Sequence, residues 1–235
     1  MEKHTALPLE ERKTRSDGAQ SRERLLLTAM RLFAEQGYAK TSTREIALAA
    51  HTNIASISYY FGDKAGLYRA AFTEPAPCQR RDISEFTRPD ATLRDALRAF
   101  YAQLLEPLKQ GDVARLCMRM WFREMLEPTG VWNDEIENDI RPSHTALTQV
   151  LRRHLGPDAL EDDISRLAFC VVGLAIQLMI TRDVIDEISP QLLASDDGID
   201  TWLGRLVDYG EAMVEAERAR MGATQLTSQP RKKKA

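Results

Sequence analysis

With 235 residues, 43% of them apolar and 29% charged, the chain can bury one or two cores without help from disulfides or a metal. Cys78, Cys117 and Cys170 are odd in number and widely spaced, matching neither a disulfide framework nor a zinc site. The net charge of −3 is unevenly spread: residues 1–74 hold 11 basic against 9 acidic residues, 75–229 hold 17 against 26, and Arg231–Lys234 are all basic. That suits a front segment that meets phosphate and an acidic body that does not, although charge alone does not identify a nucleic-acid binder.

Helix formers dominate and no stretch alternates β-branched residues with a period of two, so an all-α fold is predicted. Residues 1–17 are polar and aperiodic and are expected to be a mobile arm. Asp17 can cap a first helix, in which Leu25, Leu26, Ala29, Leu32 and Phe33 recur at helical spacing and which Gly37 stops. Ser42 or Thr43 caps a second helix with Ile46, Ala47 and Ala50 inward. Asn53 caps a third, with Ile57 and Phe61 inward, and Asp63 starts a fourth through Leu67, Tyr68, Ala71 and Phe72. Pro75 and Pro77 then mark a kink or boundary, placed at residue 78. Longer amphipathic helices are predicted near 90–110, 112–127, 132–155, 158–186 and 199–221, with Pro142 kinking or splitting the third of these. The apolar run Leu167–Ile180 is too short to span a bilayer and is read as a buried or interfacial helix. No apolar export segment opens the chain, so the cytoplasm is the expected compartment. The segment from 222 to 235 is polar, ends in the basic run, and is expected to be disordered.

The second and third helices, joined by a tight turn, have the form of a helix–turn–helix. A helix that reads a groove must be locked on one face and shallow on the other. Ile57 and Phe61 supply the lock, while Ala55, Ser56 and Ser58 keep the outer face low. Tyr59 and Tyr60 can place hydroxyls on backbone oxygens. Thr43 can bond a phosphate, and Lys64, at a positive helix end, suits another. Arg44 is the long guanidinium near the turn and the candidate for a bidentate contact to guanine. Taken singly, each residue also suits an ordinary core or surface; their joint register is what points to DNA.

Residues 18–78 resemble the DNA-binding domain of the TetR family of bacterial transcriptional regulators. The matching pieces are Leu32–Tyr38 (LFAEQGY), Thr41–Thr43, Ile46–Ala47, Ile57–Phe61 (ISYYF) and Lys64–Tyr68 (KAGLY). Asn53–Ile57, Tyr59–Lys64 and Arg123–Thr129 (REMLEPT) also resemble the CecR-like subgroup. The resemblance implies DNA contacts from Thr43, Arg44, Ser56, Tyr59, Tyr60 and Lys64, a homodimer joined through the last two helices, and a repressor released by a small ligand. The chain departs from the pattern twice. His51 stands where the family often has Gly in the turn, which strains an L-residue if φ is positive. Ile54 stands where a Lys often opens the recognition helix, which removes one phosphate contact.

A single reading head covers few bases, so pairing of two copies on a palindromic operator is expected. The helix around 164–181 is apolar almost all round, more than one thin layer can bury, and packing one side on a twin would relieve this. Leu167, Val171, Leu174 and Leu178, with Trp202, Leu206 and Tyr209 of the last helix, are the expected interface. Met118, Trp121, Phe122 and Met125 form a helical stripe that, with Phe100, Leu104, His144 and Gln177, suits either a core or an adaptable cavity for a small-molecule effector. Arg123–Glu124 suits an ion pair.

Catalysis is not expected. His4, His51, His144 and His154 form no i, i+4 pair, and neither a phosphate-binding glycine loop nor a nucleophile elbow is present, so no metal and no cofactor is expected. The prediction is an all-α protein with an N-terminal three-helix DNA-binding domain (18–78) and a C-terminal helical ligand-binding and dimerisation domain (79–221). Its expected partners are double-stranded DNA, a second copy of itself and a small molecule, with no membrane. The alternative is a helix–turn–helix protein that carries a lipid-like ligand or contacts other proteins without specific DNA binding.

Overall fold

The computed structural model describes residues 9–75 and 82–228, with side chains over 17–75 and 82–223. Among these residues every regular element is helical: α1 (Leu9–Gln36), α2 (Thr43–Ala49), α3 (Ala55–Phe61), α4 (Lys64–Thr73), α5 (Leu93–Lys109), α6 (Gly111–Leu126), α7 (Val131–Glu135), α8 (Arg141–Leu155), α9 (Glu161–Ile180), α10 (Arg182–Ile188) and α11 (Asp196–Ser228). Two compact units result. One holds Met1–Gln79 with Asp112–Trp132, the other Arg80–Gly111 with Asn133–Ala235. The helix expected to lie wholly in the body, α6, therefore belongs to the first unit.

In the first unit Leu25, Ala29, Met30 and Phe33 of α1 are buried with Ile46 and Ala47 of α2, Ile57 of α3, Leu67, Tyr68, Ala71 and Phe72 of α4, and Cys117 and Met120 of α6. Each large side chain so enclosed contributes roughly 1.5–3 kcal/mol, which holds together elements too short to be stable alone. α1 starts at Leu9, not at Asp17, whose carbonyl accepts from Ser21 Oγ at 2.8 Å within the helix. The expected arm is thus helical from residue 9; residues 1–8 and Pro77 lie outside the described residues. Gly37 ends α1 with φ +83°, and a Cβ there would meet the Arg123 guanidinium at 3.2 Å. Cys117 is disulfide-bonded, against the expectation from cysteine spacing.

In the second unit α5 opens with a capping box: Thr92 Oγ1 accepts from Asp95 N at 3.1 Å, and the Asp95 carboxylate accepts from Thr92 N at 3.3 Å. α11 lies close along α5 at Gly210, where a Cβ would come within 3.1 Å of Leu97 Cδ1 and 3.3 Å of the Tyr101 hydroxyl. That hydroxyl donates to the Val171 carbonyl at 3.0 Å, joining α5 to α9. The segment with Pro142 splits as predicted. A π-helical turn, Ile136–Ile140, separates α7 from α8, and Arg141 N reaches back to Ile136 O. Pro142 has no N–H to continue the α-helical ladder across that point. The helix expected at 158–186 breaks at Thr181 (φ −99°, ψ 21°), whose hydroxyl turns back onto Gln177 O at 2.7 Å. α11 runs from 196 to 228, seven residues past its expected end, so the expected disordered tail is partly helical; Arg231–Lys234 lie outside the described residues. By length and composition α9 is apolar enough to cross a membrane, yet Ile164, Ala168, Val171 and Ala175 are enclosed by protein.

Candidate nucleic-acid interface

The placement of α2 and α3 follows from local chemistry. Ser42 is extended (φ −105°, ψ 150°) and its hydroxyl accepts from Glu45 N at 3.1 Å, so Ser42 rather than Thr43 is the cap. Glu45 also accepts from Gln36 Nε2 at 2.8 Å, fastening α2 to the end of α1. Thr41, fully buried, donates to Gly37 O at 2.8 Å and holds the connecting loop. In the turn, Thr52 N donates to Ala47 O at 2.9 Å, and His51 has φ +52°, the one non-glycine with positive φ among the described residues. Asn53 Oδ1 accepts from Ala55 N at 2.9 Å just ahead of α3, whose N-cap is Ile54 and not the expected Asn53. Asp63 caps α4, accepting from Gly66 N at 2.7 Å.

The inner face of α3 is locked by Ile57 and by Phe61, over whose ring the Arg22 guanidinium sits at 4.8 Å. Arg22 makes a bidentate pair with Glu74 at 2.8 and 2.9 Å, which ties α1 to the end of α4 and raises the Arg22 pKa. On the outer face Arg44, Ser58 and Tyr59 are exposed, Tyr59 to 83%, while Thr43, Ser56, Tyr60 and Lys64 are half-buried. Arg44 has no hydrogen-bonding or ionic partner among the described residues. Tyr59 and Tyr60 meet edge to face at 4.9 Å, and the Tyr60 hydroxyl lies against Gly18 of α1. The Lys64 ammonium sits 4.3 Å over the Tyr38 ring, a favourable seat for a cation. Sequence reasoning passed over Leu48 as a surface residue, although it lies four residues from Arg44 and so on the same helical face; it is 77% exposed.

α6 is anchored to the same unit by two adjacent residues with different partners. Arg123 donates from Nε to Ala34 O and from a terminal nitrogen to Glu35 O, both at 2.8 Å, satisfying free carbonyls at the end of α1. Glu124 is fully buried and accepts from the Tyr68 hydroxyl at 2.7 Å, from Thr129 N at 2.7 Å and Oγ1 at 3.0 Å, and from Trp132 N at 3.2 Å. The Arg123–Glu124 ion pair expected from sequence is replaced by these separate networks. Burial, and then the bond to Glu124, push the Tyr68 pKa well above the usual phenol range.

Comparison with known proteins fits this geometry. The sequence matches the profile of the bacterial regulatory proteins of the TetR family over residues 25–71. It matches the C-terminal domain of the HTH-type transcriptional dual regulator CecR over residues 93–216. The chain belongs to the TetR family. As a TetR-family protein it is a helix–turn–helix DNA-binding transcriptional regulator, and the family is one of regulators rather than enzymes. It is 40% identical over 178 residues to the transcriptional regulator AcrR of Shigella flexneri, covering 72% of this chain and 80% of that one. To the dual regulator CecR of the same organism it is 28% identical over 179 residues, covering 72% and 79%. The crystal structure of SmeT in complex with triclosan shares the fold, with a TM-score of 0.52 and 19% identity over 79% of this chain and 90% of that one.

The residues expected to line a pocket in this TetR-family chain are divided between the units. Met118, Trp121, Phe122 and Met125 lie on α6, where Trp121 meets Phe122 and Trp132 edge to face at 5.5 and 4.9 Å. Phe100 and Leu104 are buried on α5, His144 stacks on Phe169 at 4.5 Å, and Gln177 is exposed. Of the residues expected at a dimer interface, Leu167, Val171, Leu178 and Leu206 are buried within their own chain and face inward. Leu174, Trp202 and Tyr209 keep accessible surface. The outer stripe of α9 is instead Phe169, Cys170, Gly173, Gln177 and Ile180. Among the described residues no cluster of three or more His, Cys, Asp or Glu is placed to hold a metal ion.

Proposed function

We propose that this TetR-family regulator binds a palindromic operator as a homodimer, represses transcription in the cytoplasm, and is released by an apolar small molecule. The observation that carries the reading is a recognition helix fixed from beneath by Ile57, Phe61 and the Arg22–Glu74 pair, with Ser58 and Tyr59 exposed on its outer side and Arg44 exposed on α2. In it Arg44 contacts guanine, while Thr43, Ser56, Ser58, Tyr59, Tyr60 and Lys64 position the head on the backbone. Lys64 keeps that role from its seat over Tyr38.

The second copy is supported by α9, of which only 33% of an 18-residue apolar window is buried. A groove of about 580 Å³ between α9 and α11, lined by Leu167, Cys170, Met213 and Ala216 with Asp163, Arg166, Glu217 and Arg220 at its edges, offers a seat beside the outer stripe. The seam therefore uses Phe169, Cys170, Gly173 and Ile180 with Leu174, Trp202 and Tyr209, one helical step from most of the positions expected from sequence. An apolar effector is the choice because aromatic and sulfur side chains recur along α6, and because the neighbour SmeT was solved with triclosan. The effector releases DNA only if it binds the DNA-incompetent state more tightly.

The test is selection of duplexes from a random pool by the purified protein, followed by affinity measurements at several salt concentrations. The expected result is a palindromic consensus and a log–log salt slope that is steep and negative. Arg44→Ala is expected to weaken binding by roughly 1–3 kcal/mol and to relax preference at one base pair per half-site. Effector binding without sequence-selective DNA binding at any salt would favour a ligand carrier instead.

A further inference from the structure

The outer surface on either side of the turn of the helix–turn–helix carries exposed apolar side chains. Ile54 and Ala55, which open α3, are exposed, Ile54 to 50%. Leu48 and Ala49, which close α2, are exposed as well. His51 and Asn53 are the exposed polar side chains of the turn, and Asn53 Oδ1 is occupied by Ala55 N. The hydroxyls of Ser58 and Tyr59 and the guanidinium of Arg44 stand farther along their helices.

A recognition helix sends its N-terminal residues to the base edges. Here the first two, Ile54 and Ala55, carry neither a donor nor an acceptor in their side chains. The major groove offers one apolar group for them to meet, the C5-methyl of thymine. Ala55 is small enough to let the helix end approach closely, and Ile54 is long enough to cover a methyl. We infer that Ile54 is a specificity-determining residue that reads a thymine methyl in each operator half-site, with Leu48 extending the apolar surface across the turn. This rests on the DNA-binding reading and adds what that reading leaves open: which base edge lies under the start of α3, and by what contact it is recognised. The absence of a cation at position 54 is then a means of selection and not merely a lost phosphate contact.

The test uses the full-length protein and a duplex it selects from a random pool. Each thymine is replaced singly by uracil, which keeps pairing and removes only the methyl. Wild type is expected to lose about 3- to 5-fold in affinity at one thymine per half-site. At that position a 5-methylcytosine–guanine pair is expected to bind more tightly than cytosine–guanine, because the methyl is restored on a different hydrogen-bonding edge. Ile54→Ala, at an exposed site, is expected to bind the thymine and uracil duplexes within twofold of each other. Indifference of the wild type to uracil at every position, or an unchanged thymine-to-uracil ratio in Ile54→Ala, would overturn the inference alone. Failure of the wild type to select any sequence would overturn the operator reading and this inference with it.

Discussion

The two units of this regulator are held by different kinds of contact. In the first, two polar side chains are buried with their bonds made: Glu124 accepts from Tyr68, Thr129 and Trp132, and Thr41 donates to Gly37 O; the Arg22–Glu74 clamp beside Phe61 is exposed. In the second, the ionic contacts between helices lie at the surface, as in Arg94 with Asp208 and Glu211, Lys109 with Asp200, and Arg220 with Asp163, and a buried polar contact is the neutral bond from the Tyr101 hydroxyl to Val171 O. Exposed pairs add little to stability, so helix packing carries that unit. A buried polar network permits few alternative arrangements, whereas apolar helix faces can repack within a similar volume. The contrast suits the proposed function, in which the head keeps a fixed shape against DNA and the body responds to a ligand.

The largest effect is expected where that contrast rests on one residue. Glu124→Ala would leave the buried Tyr68 hydroxyl, the Thr129 hydroxyl and the N–H groups of Thr129 and Trp132 without their acceptor, and is expected to destabilise the protein by roughly 3–5 kcal/mol. Tyr68→Phe, which removes one of the donors, is expected to cost roughly 1–2 kcal/mol. Urea unfolding measures both. A loss below 1 kcal/mol for Glu124→Ala would mean that the first unit is held by its apolar core alone, and the distinction between the units would fall.

The body is tested at its tightest packing. Gly210→Val puts branched carbon where even a Cβ comes within 3.1 Å of Leu97 and 3.3 Å of the Tyr101 hydroxyl. It is expected to destabilise by roughly 1–3 kcal/mol through overpacking, less than Glu124→Ala despite the larger change in volume. Thermal unfolding read by circular dichroism gives the comparison. A loss exceeding that of Glu124→Ala would show that α5 and α11 cannot separate, and would remove the case for an adaptable body.

What could be read in advance was local. Ser42 and Asp63 cap their helices because a short polar side chain next to free N–H groups needs no tertiary information. Gly37 and His51 take positive φ at positions that the chain direction requires, and Pro142 interrupts a ladder within its own segment. The remainder depended on partners distant in sequence. The pattern of α6 showed an apolar face but not that Cys117 and Met120 would meet α1 and α4, or that Glu124 would find Tyr68. On α9, apolar almost all round, periodicity cannot distinguish the face turned inward, Leu167 and Val171, from the face turned outward, Phe169 and Cys170. The start of α1 and the end of α11 are polar enough to resemble coil, yet rich in Glu, Arg and Ala, which favour helix. For the reading surface, residue types pointed to Arg44 and Tyr59; that Leu48 and Ile54 share that surface became evident only from their exposure.

The smallest effect separates the units by pH. His144 and His154 both lie in the second unit, and burial lowers both pKa values from 6.5; Arg153 and Arg218 lower that of His154 further. The buried Nε2 of His154 has no partner. Above pH about 6.5 each ring is neutral in the folded and the unfolded chain, so neither penalises folding. As pH falls through that value the unfolded chain takes up protons that the folded one resists, and stability declines until the folded rings also titrate. The carboxylates with lowered values, Asp82, Asp95 and Glu137, do not act in this window, because they ionise well below it in both states. The raised phenols Tyr68 and Tyr101 act only at the alkaline end, where loss of their protons favours the unfolded chain. The thermal midpoint is therefore expected to fall between pH 7 and pH 5.5 in the wild type and to fall less in a His144→Asn, His154→Asn double variant. An unchanged slope in that variant would assign the acid response to groups outside the body and remove this difference between the units.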